Sequence, residues 1–256
     1  MKVSQVAAQL YTVRDHLKTK DDFAASLKKI RKIGYQAVEL AGLGPLSEAE
    51  LAMMLAGEGL TCCAAHENGA EIIANPGAVV ERMKKLGSRY ASYPHPSGVK
   101  LDTLAGVRSL AAGLNAAGKV MQEAGIVLTY HNHSIEFRRV EGRLILDVIY
   151  GETDPRYLQA EIDTYWVQHG GGDPEDWCRL LKNRLPLLHL KDYAMTPESR
   201  PTFAEIGSGN LNWKPIVAAA EASGCKWYIV EQDTCPGDPF DSLKMSFEYI
   251  AGNLCA

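Results

Sequence analysis

Glu136, Asp163, His189 and Glu231 are of the residue types that hold a divalent cation, provided the fold brings them together. Three carboxylates and one imidazole in a single concavity repel one another unless a cation lies among them. Their mixed N and O donors suit Mn²⁺ first, with Zn²⁺, Co²⁺, Fe²⁺ or Mg²⁺ as alternatives, better than a soft thiolate site would. Taken singly, each is an ordinary loop carboxylate, helix cap or core histidine. Their position on successive strand ends is what argues for a shared role. His131 and His133, two residues apart, can project to one side of a strand. They could serve as ligands or as acid/base groups, since imidazole titrates near neutrality. Lys191 follows His189 by two residues and is either a substrate anchor, a proton donor or an exposed strand-end lysine. Glu136, Glu231, His131, His133 and Lys191 are thus the candidate catalytic groups. Tyr11, Arg14, Glu39, His66, Trp166 and Glu205 are the candidate substrate-binding groups. Aromatic rings pack against sugar C–H faces, although rim packing would account for Tyr11 and Trp166 equally well. Glu205 precedes the turn-rich IGSGNLNW, expected to fold over a site mouth.

The elements that must position these residues alternate regularly. β-type runs occur at Val3 to Leu10, Ala37 to Leu40, Thr61 to Ala65, Tyr90 to Tyr93, Ile126 to His131, Gln159 to Asp163, Leu187 to Leu190 and Trp227 to Glu231. Helical stretches separate them, clearest at Asp21 to Ile33, Ser47 to Glu58, Pro76 to Leu86, Leu101 to Ala124, Pro174 to Leu181, Trp213 to Ser223 and Pro239 to Ala251. A weaker one lies near Leu144 to Tyr150. Gly34, Gly59, Gly87 and Gly125 stand where helices should stop, and Ser47 and Asp173 where they should start. Strand, helix, strand repeated eight times predicts a parallel sheet closed into a (β/α)₈ TIM barrel, with residues 1–256 forming one domain. In that architecture the C-terminal ends of the strands form the functional mouth, and every strand here delivers polar residues to that rim.

Composition narrows the function classes. The 256 residues carry 27 Lys and Arg against 31 Asp and Glu, a net charge of −4, with no basic stripe to follow a phosphate backbone. Nucleic acid is therefore not an expected partner. No run of about 18 apolar residues and no signal-peptide pattern is present, so neither a membrane association nor export is expected and the cytoplasm is the expected location. The six cysteines lack CxxC spacing and read as reduced thiols. No GxGxxG or GxxxxGK[ST] follows a strand, which argues against a dinucleotide fold or a P-loop.

QLYTVRD, AVEL, YHNHSIEF, DTYW, GGDP, HLKD, EIGSGNLNW and VEQD together resemble the xylose isomerase-like TIM barrel superfamily, in its sugar phosphate isomerase/epimerase branch. The pieces occur in family order over essentially the whole chain. The resemblance implies a divalent ion held by a Glu, Asp, His, Glu set and a small-molecule sugar or keto-sugar substrate, and it leaves homo-oligomerisation open. Asp163, His189 and Glu231 match the last three ligands. At the tip of the fifth strand, where the first Glu belongs, this chain has Tyr130 or His131, and Glu136 a few residues on is taken as the first ligand because it lies inside YHNHSIEF. The implied chemistry is proton transfer next to a carbonyl through an enediolate, as in an isomerase or epimerase. A lyase or dehydratase acting on keto-sugars, inosose or 3-oxo-glycosides is the first alternative, and a non-catalytic sugar-binding or partner subunit the second. A metal-dependent phosphodiesterase would need more histidines and a nucleic-acid groove than this sequence supplies.

Overall fold

The computed structural model describes residues 1–42 and 46–255. Eight parallel strands, β1 (Val6–Gln9), β2 (Ala37–Leu40), β3 (Thr61–His66), β4 (Tyr90–Tyr93), β5 (Val127–His131), β6 (Leu158–Asp163), β7 (Leu187–Leu190) and β8 (Trp227–Val230), follow one another around a closed barrel. Closure is made where β8 pairs with β1, Val6 opposite Tyr228 and Ala8 opposite Val230. This is the expected (β/α)₈ architecture. The first strand is shorter than its Val3 to Leu10 apolar run. Tight 3₁₀ turns at Val3–Gln5 and Leu10–His16 flank it, and the Gln9 side chain, accepting from the Tyr11 backbone N–H at 3.2 Å, turns the chain away.

The helices are α1 (Lys20–Ile33), α2 (Glu48–Gly57), α3 (Gly69–Ala74), α4 (Pro76–Leu86), α5 (Leu104–Glu123), α6 (Ile145–Gly151), α7 (Thr164–His169), α8 (Pro174–Leu180), α9 (Trp213–Ala222) and α10 (Pro239–Asn253). Their starts follow from capping chemistry. Ser47 and Glu50 form a reciprocal capping box on α2, Thr19 and Asp22 do so on α1, and Asp173 caps α8 ahead of Pro174. Gly87 ends α4 in the left-handed region, φ 67°, where a side chain would strain the backbone. The short α3 and α7, and two antiparallel hairpins (Arg139–Val140 with Arg143–Leu144, and Asp192–Met195 with Pro201–Ala204), are additions the sequence pattern did not reveal. Among the described residues no helix is long and apolar enough to cross a membrane. All six cysteines are free thiols, four of them buried.

Strand residues alternate between two environments. Val6, Ala8, Val38, Leu188, Leu190 and Val230 face outward into the layer packed by the helices. Burying each large aliphatic chain there contributes about 1.5–3 kcal/mol. Inward, Ala7, Ala37, Cys63, Leu187 and Ile229 form an apolar plug. Two residues further along the same strands the lining becomes polar, with Gln9, Glu39, His189 and Glu231. The barrel thus has a dry bottom and an ionisable upper half.

Candidate active site

The ionisable half has two tiers. In the lower tier Glu39, on β2, is completely buried beneath His189, on β7. Its Oε2 accepts from Gln9 Nε2 at 2.7 Å and from His189 Nε2 at 2.8 Å. Glu161, on β6, accepts through Oε1 from Ser92 at 2.9 Å and pairs through Oε2 with His66 Nε2 at 2.9 Å. His66 Nε2 also lies 3.6 Å from Glu39, so one imidazole spans the two carboxylates. Burial and the charge of Glu161 push Glu39 up to about 7. Burial opposes ionisation of Glu161 as well, but His189 and His66 outweigh it and hold this carboxyl well below the usual range.

The upper tier is built at the strand tips by His131, Asp163, His189 and Glu231, whose donor atoms lie within 4.8 Å of one another. His189 Nδ1 is 2.9 Å from Glu231 Oε2 and 4.0 Å from Asp163 Oδ2, and His131 Nε2 is 3.9 Å from Asp163 Oδ2. Asp163 divides its oxygens. Oδ1 caps α7 by accepting from the Trp166 N–H at 3.0 Å, while Oδ2 is buried and makes no hydrogen bond, its ion-pair neighbour being the Lys191 ammonium at 3.4 Å. A buried carboxylate oxygen without a hydrogen bond is costly unless positive charge lies near it. Burial, aided by His189, pushes His131 down to about 3, so it presents a neutral ring with a lone pair. Burial lifts Asp163 to about 6, whereas Lys191 and His189 outweigh burial at Glu231 and hold it well below the carboxylate range. Two imidazoles and two carboxylates, one oxygen without a hydrogen bond, fit a borderline divalent cation.

Lys191 lies beside this quartet, its ammonium 2.7 Å from Asp233, 3.1 Å from Glu231 and 3.4 Å from Asp163. It is 1% exposed, roofed by the rings of Trp166 and Phe203 at 5.3 Å each. Those carboxylates outweigh burial and raise its pKa. Asp233 opens onto a cleft of about 250 Å³ that Arg14 and Thr12 also line.

The remaining sequence candidates take distinct places. Glu136 is not brought to the quartet: it is fully buried, accepting from Tyr130 Oη at 2.8 Å and from the His133 backbone N–H at 2.7 Å. At the fifth strand tip His131 stands in its stead. His133 forms part of an aromatic wall with His131, His95 and Trp166, ring centroids 4.9–5.3 Å apart. Its Nδ1 and the Trp166 Nε1 are buried without partners. Tyr11 is 37% exposed at the rim and carries the Arg14 guanidinium over its ring, 4.3 Å from the centroid. Glu205 is buried against α10, accepting from Ser242 at 2.7 Å. The stretch behind it is pinned by Asp192, which accepts from the backbone of Gly207, Gly209 and Leu211 and from Trp213 Nε1, at 2.8–3.2 Å. Sequence reasoning missed Glu161 and Asp192. Glu161 was discoverable, because it lies two residues before Asp163 and strand alternation puts both inside.

Similarity to known proteins agrees with this architecture. The chain is 31% identical over 159 residues to an inosose dehydratase of Geobacillus kaustophilus, covering 56% of this chain and 51% of that protein. It therefore spans about half the length of the curated relatives it matches. A solved sugar phosphate isomerase/epimerase from Parabacteroides distasonis superposes with a TM-score of 0.82 at 26% identity, covering 96% of both chains. A xylose isomerase-like TIM barrel protein of Mycobacterium smegmatis, solved in complex with magnesium, gives a TM-score of 0.74 at 14% identity over 98% of this chain and 97% of that one. The family profile described as xylose isomerase-like TIM barrel matches residues 27–250, and the chain belongs to that family.

Proposed function

We propose that the protein is a divalent-cation-dependent lyase that dehydrates a cyclic keto-polyol of the inosose type. The reading is carried by the Asp163 Oδ2, buried without a hydrogen bond in a converging quartet of His131, Asp163, His189 and Glu231 at the strand tips of the barrel. A cation held by these four residues would supply positive charge that lowers the cost of removing a proton from carbon next to a carbonyl. Epimerisation would call for a base on each face of that carbon. Lys191 joins the carboxylates Glu231 and Asp233, and His133 packs against Trp166. An acid and a base linked through one lysine suit the loss of water, in which one proton leaves carbon and one reaches the departing hydroxyl.

In this reading Asp233, raised by burial and linked to Glu231 through Lys191, takes the proton from carbon. The hydroxyl on the next carbon departs as water with a proton from the Lys191 ammonium. The proton held by Asp233 then returns across the 2.7 Å contact to Lys191 and restores both groups. His133 and Trp166 offer Nδ1 and Nε1 to ring hydroxyls. The named relatives, inosose dehydratases, support the choice of substrate class.

The test is incubation of the purified protein with an inosose, with and without chelator, read by mass spectrometry in D₂O. The expected result is cation-dependent loss of one water, abolished in His189→Ala and Glu231→Ala. Exchange of one deuterium into an otherwise intact, inverted substrate would overturn dehydration in favour of epimerisation. Unchanged turnover in the double variant would overturn the site.

A further inference from the structure

His131 and His189 each have two ring nitrogens, and the two tiers see different ones. The upper quartet is met by His131 Nε2 and His189 Nδ1. The lower tier meets His131 Nδ1, 3.3 Å from Glu161 Oε2, and His189 Nε2, 2.8 Å from Glu39 Oε2. A neutral imidazole has one N–H and one lone pair, so whichever nitrogen donates downward leaves the other free to bind upward.

We infer that Glu39 is a positioning residue which, from the floor of the site, fixes His189 in the tautomer that presents the Nδ1 lone pair to the quartet. The inference rests on the cation reading above. Glu39 Oε2 is identified as an acceptor independently of His189. The same oxygen lies 2.7 Å from Gln9 Nε2, an amide nitrogen that can only donate. With Glu39 ionised, both contacts to that oxygen are donated to it, and His189 Nε2 carries the hydrogen. Glu39 is fully buried on a rigid strand, and Gln9 and His66 hold it from either side, so the restraint it exerts is geometric as well as electrostatic. Carboxylates behind metal-binding imidazoles typically change metal affinity 10–100-fold when removed.

His66, His131, Glu161 and His189 could be read instead as a second ion site, since their donor atoms also converge. The hydrogen bonds argue otherwise. Glu161 already meets Ser92 and His66, and Glu39 Oε2 already accepts two donors, whereas Asp163 Oδ2 in the upper tier makes no hydrogen bond. Glu39 Oε1 is also buried without a hydrogen bond, but Glu39 belongs to neither set of converging donor atoms, whereas Asp163, with its unbonded Oδ2, belongs to the upper one.

The experiment compares the full-length parent with Glu39→Gln and Glu39→Leu. Mn²⁺ binding is measured by calorimetry, and histidine ¹⁵N spectra are recorded for the Zn²⁺-loaded parent. Mn²⁺ affinity is expected to fall about 10–100-fold in Glu39→Leu and less in Glu39→Gln, which retains an acceptor oxygen without the charge. In the Zn²⁺-loaded parent His189 should show a protonated Nε2 and a metal-shifted Nδ1, a result that needs no variant to fold. Affinities within twofold of the parent in both variants, or a metal-shifted Nε2, would overturn the inference while leaving the cation site intact. Two ions per parent chain, falling to one in Glu39→Leu, would make Glu39 a ligand and overturn it too. A parent that binds no Mn²⁺ would instead overturn the cation reading and this inference with it.

Discussion

Lys191 offers the sharpest perturbation, because its ammonium and the proposed cation need the same oxygens. The ammonium stands 2.7, 3.1 and 3.4 Å from Asp233, Glu231 and Asp163. At an effective dielectric near 20, each contact is worth about 5–6 kcal/mol before desolvation. Removing the charge from water offsets most of this, and breaking such a buried pair by deleting one partner costs about 3–5 kcal/mol net. Lys191→Met keeps a flexible chain of similar length against the Trp166 and Phe203 rings, so the change is largely one of charge. Without divalent ions the variant should melt roughly 6–20 °C below the parent, taking about 2–4 °C per kcal/mol for a chain of this size. Adding Mn²⁺ should narrow that gap. The variant presents the same carboxylates with no competing positive charge, and each tenfold gain in affinity adds about 1.4 kcal/mol of linked stability. Thermal unfolding of both proteins in EDTA and in saturating Mn²⁺ measures the effect. A Mn²⁺-induced rise in the variant equal to or smaller than the parent's would refute the sharing of carboxylates by lysine and cation.

Two further outcomes follow from buried carboxylates away from the quartet. Burial pushes Glu136 up to about 7 from 4.5 despite its bonds from Tyr130 and His133, so across that window the folded protein holds a proton that the unfolded chain releases. Stability should therefore fall as pH rises, by about 1.4 kcal/mol per unit and about 3 kcal/mol in all, and level off above the window. Glu136→Gln should lessen the slope by about 1.4 kcal/mol per pH unit in urea titrations, and parallel curves for the two proteins would contradict the assignment. Asp192→Ala orphans the Gly207, Gly209 and Leu211 amides and the Trp213 indole together. A loss of about 4 kcal/mol or more is expected by urea unfolding, and a loss below about 1 kcal/mol would show that the stretch is held by other contacts.

The barrel was legible because its punctuation is local. Gly87 closes α4 by its own φ and Ser47 opens α2 by its own hydroxyl, so Pro76–Leu86 and the strands Ala37–Leu40, Tyr90–Tyr93 and Leu187–Leu190 are found where the pattern puts them. Asp163, His189 and Glu231 were legible for a related reason, since the end of a parallel strand has one destination in this architecture. Glu136 was not. Its side chain folds back within three residues to the His133 N–H and on to Tyr130, a local bond that competes with reaching the mouth and that composition cannot foretell. The role of Asp192 was hidden differently. Its donors lie 15 to 21 residues downstream, and only the returning chain from Gly207 to Trp213 brings them to it.

Charge counting explains why two tiers of similar composition can serve different ends. Below, Glu39 and Glu161 are matched by His66 and His189, whose pKa values both rise because the neighbouring carboxylates outweigh burial. With both imidazoles charged that tier is neutral, and its carboxylate oxygens other than Glu39 Oε1 face donors; a cation taking the His189 lone pair would leave it one negative charge. Above, Asp163, Glu231 and Asp233 face one ammonium, that of Lys191. Three carboxylates against one ammonium leave two negative charges in a water-poor pocket, where uncompensated charge is most expensive. A divalent ion cancels that excess, whereas a monovalent ion leaves a buried carboxylate uncompensated. In the proposed cation site both tiers would therefore set the charge at the mouth: Glu39 holds His189 from below, and the lysine determines how much negative charge remains for an ion.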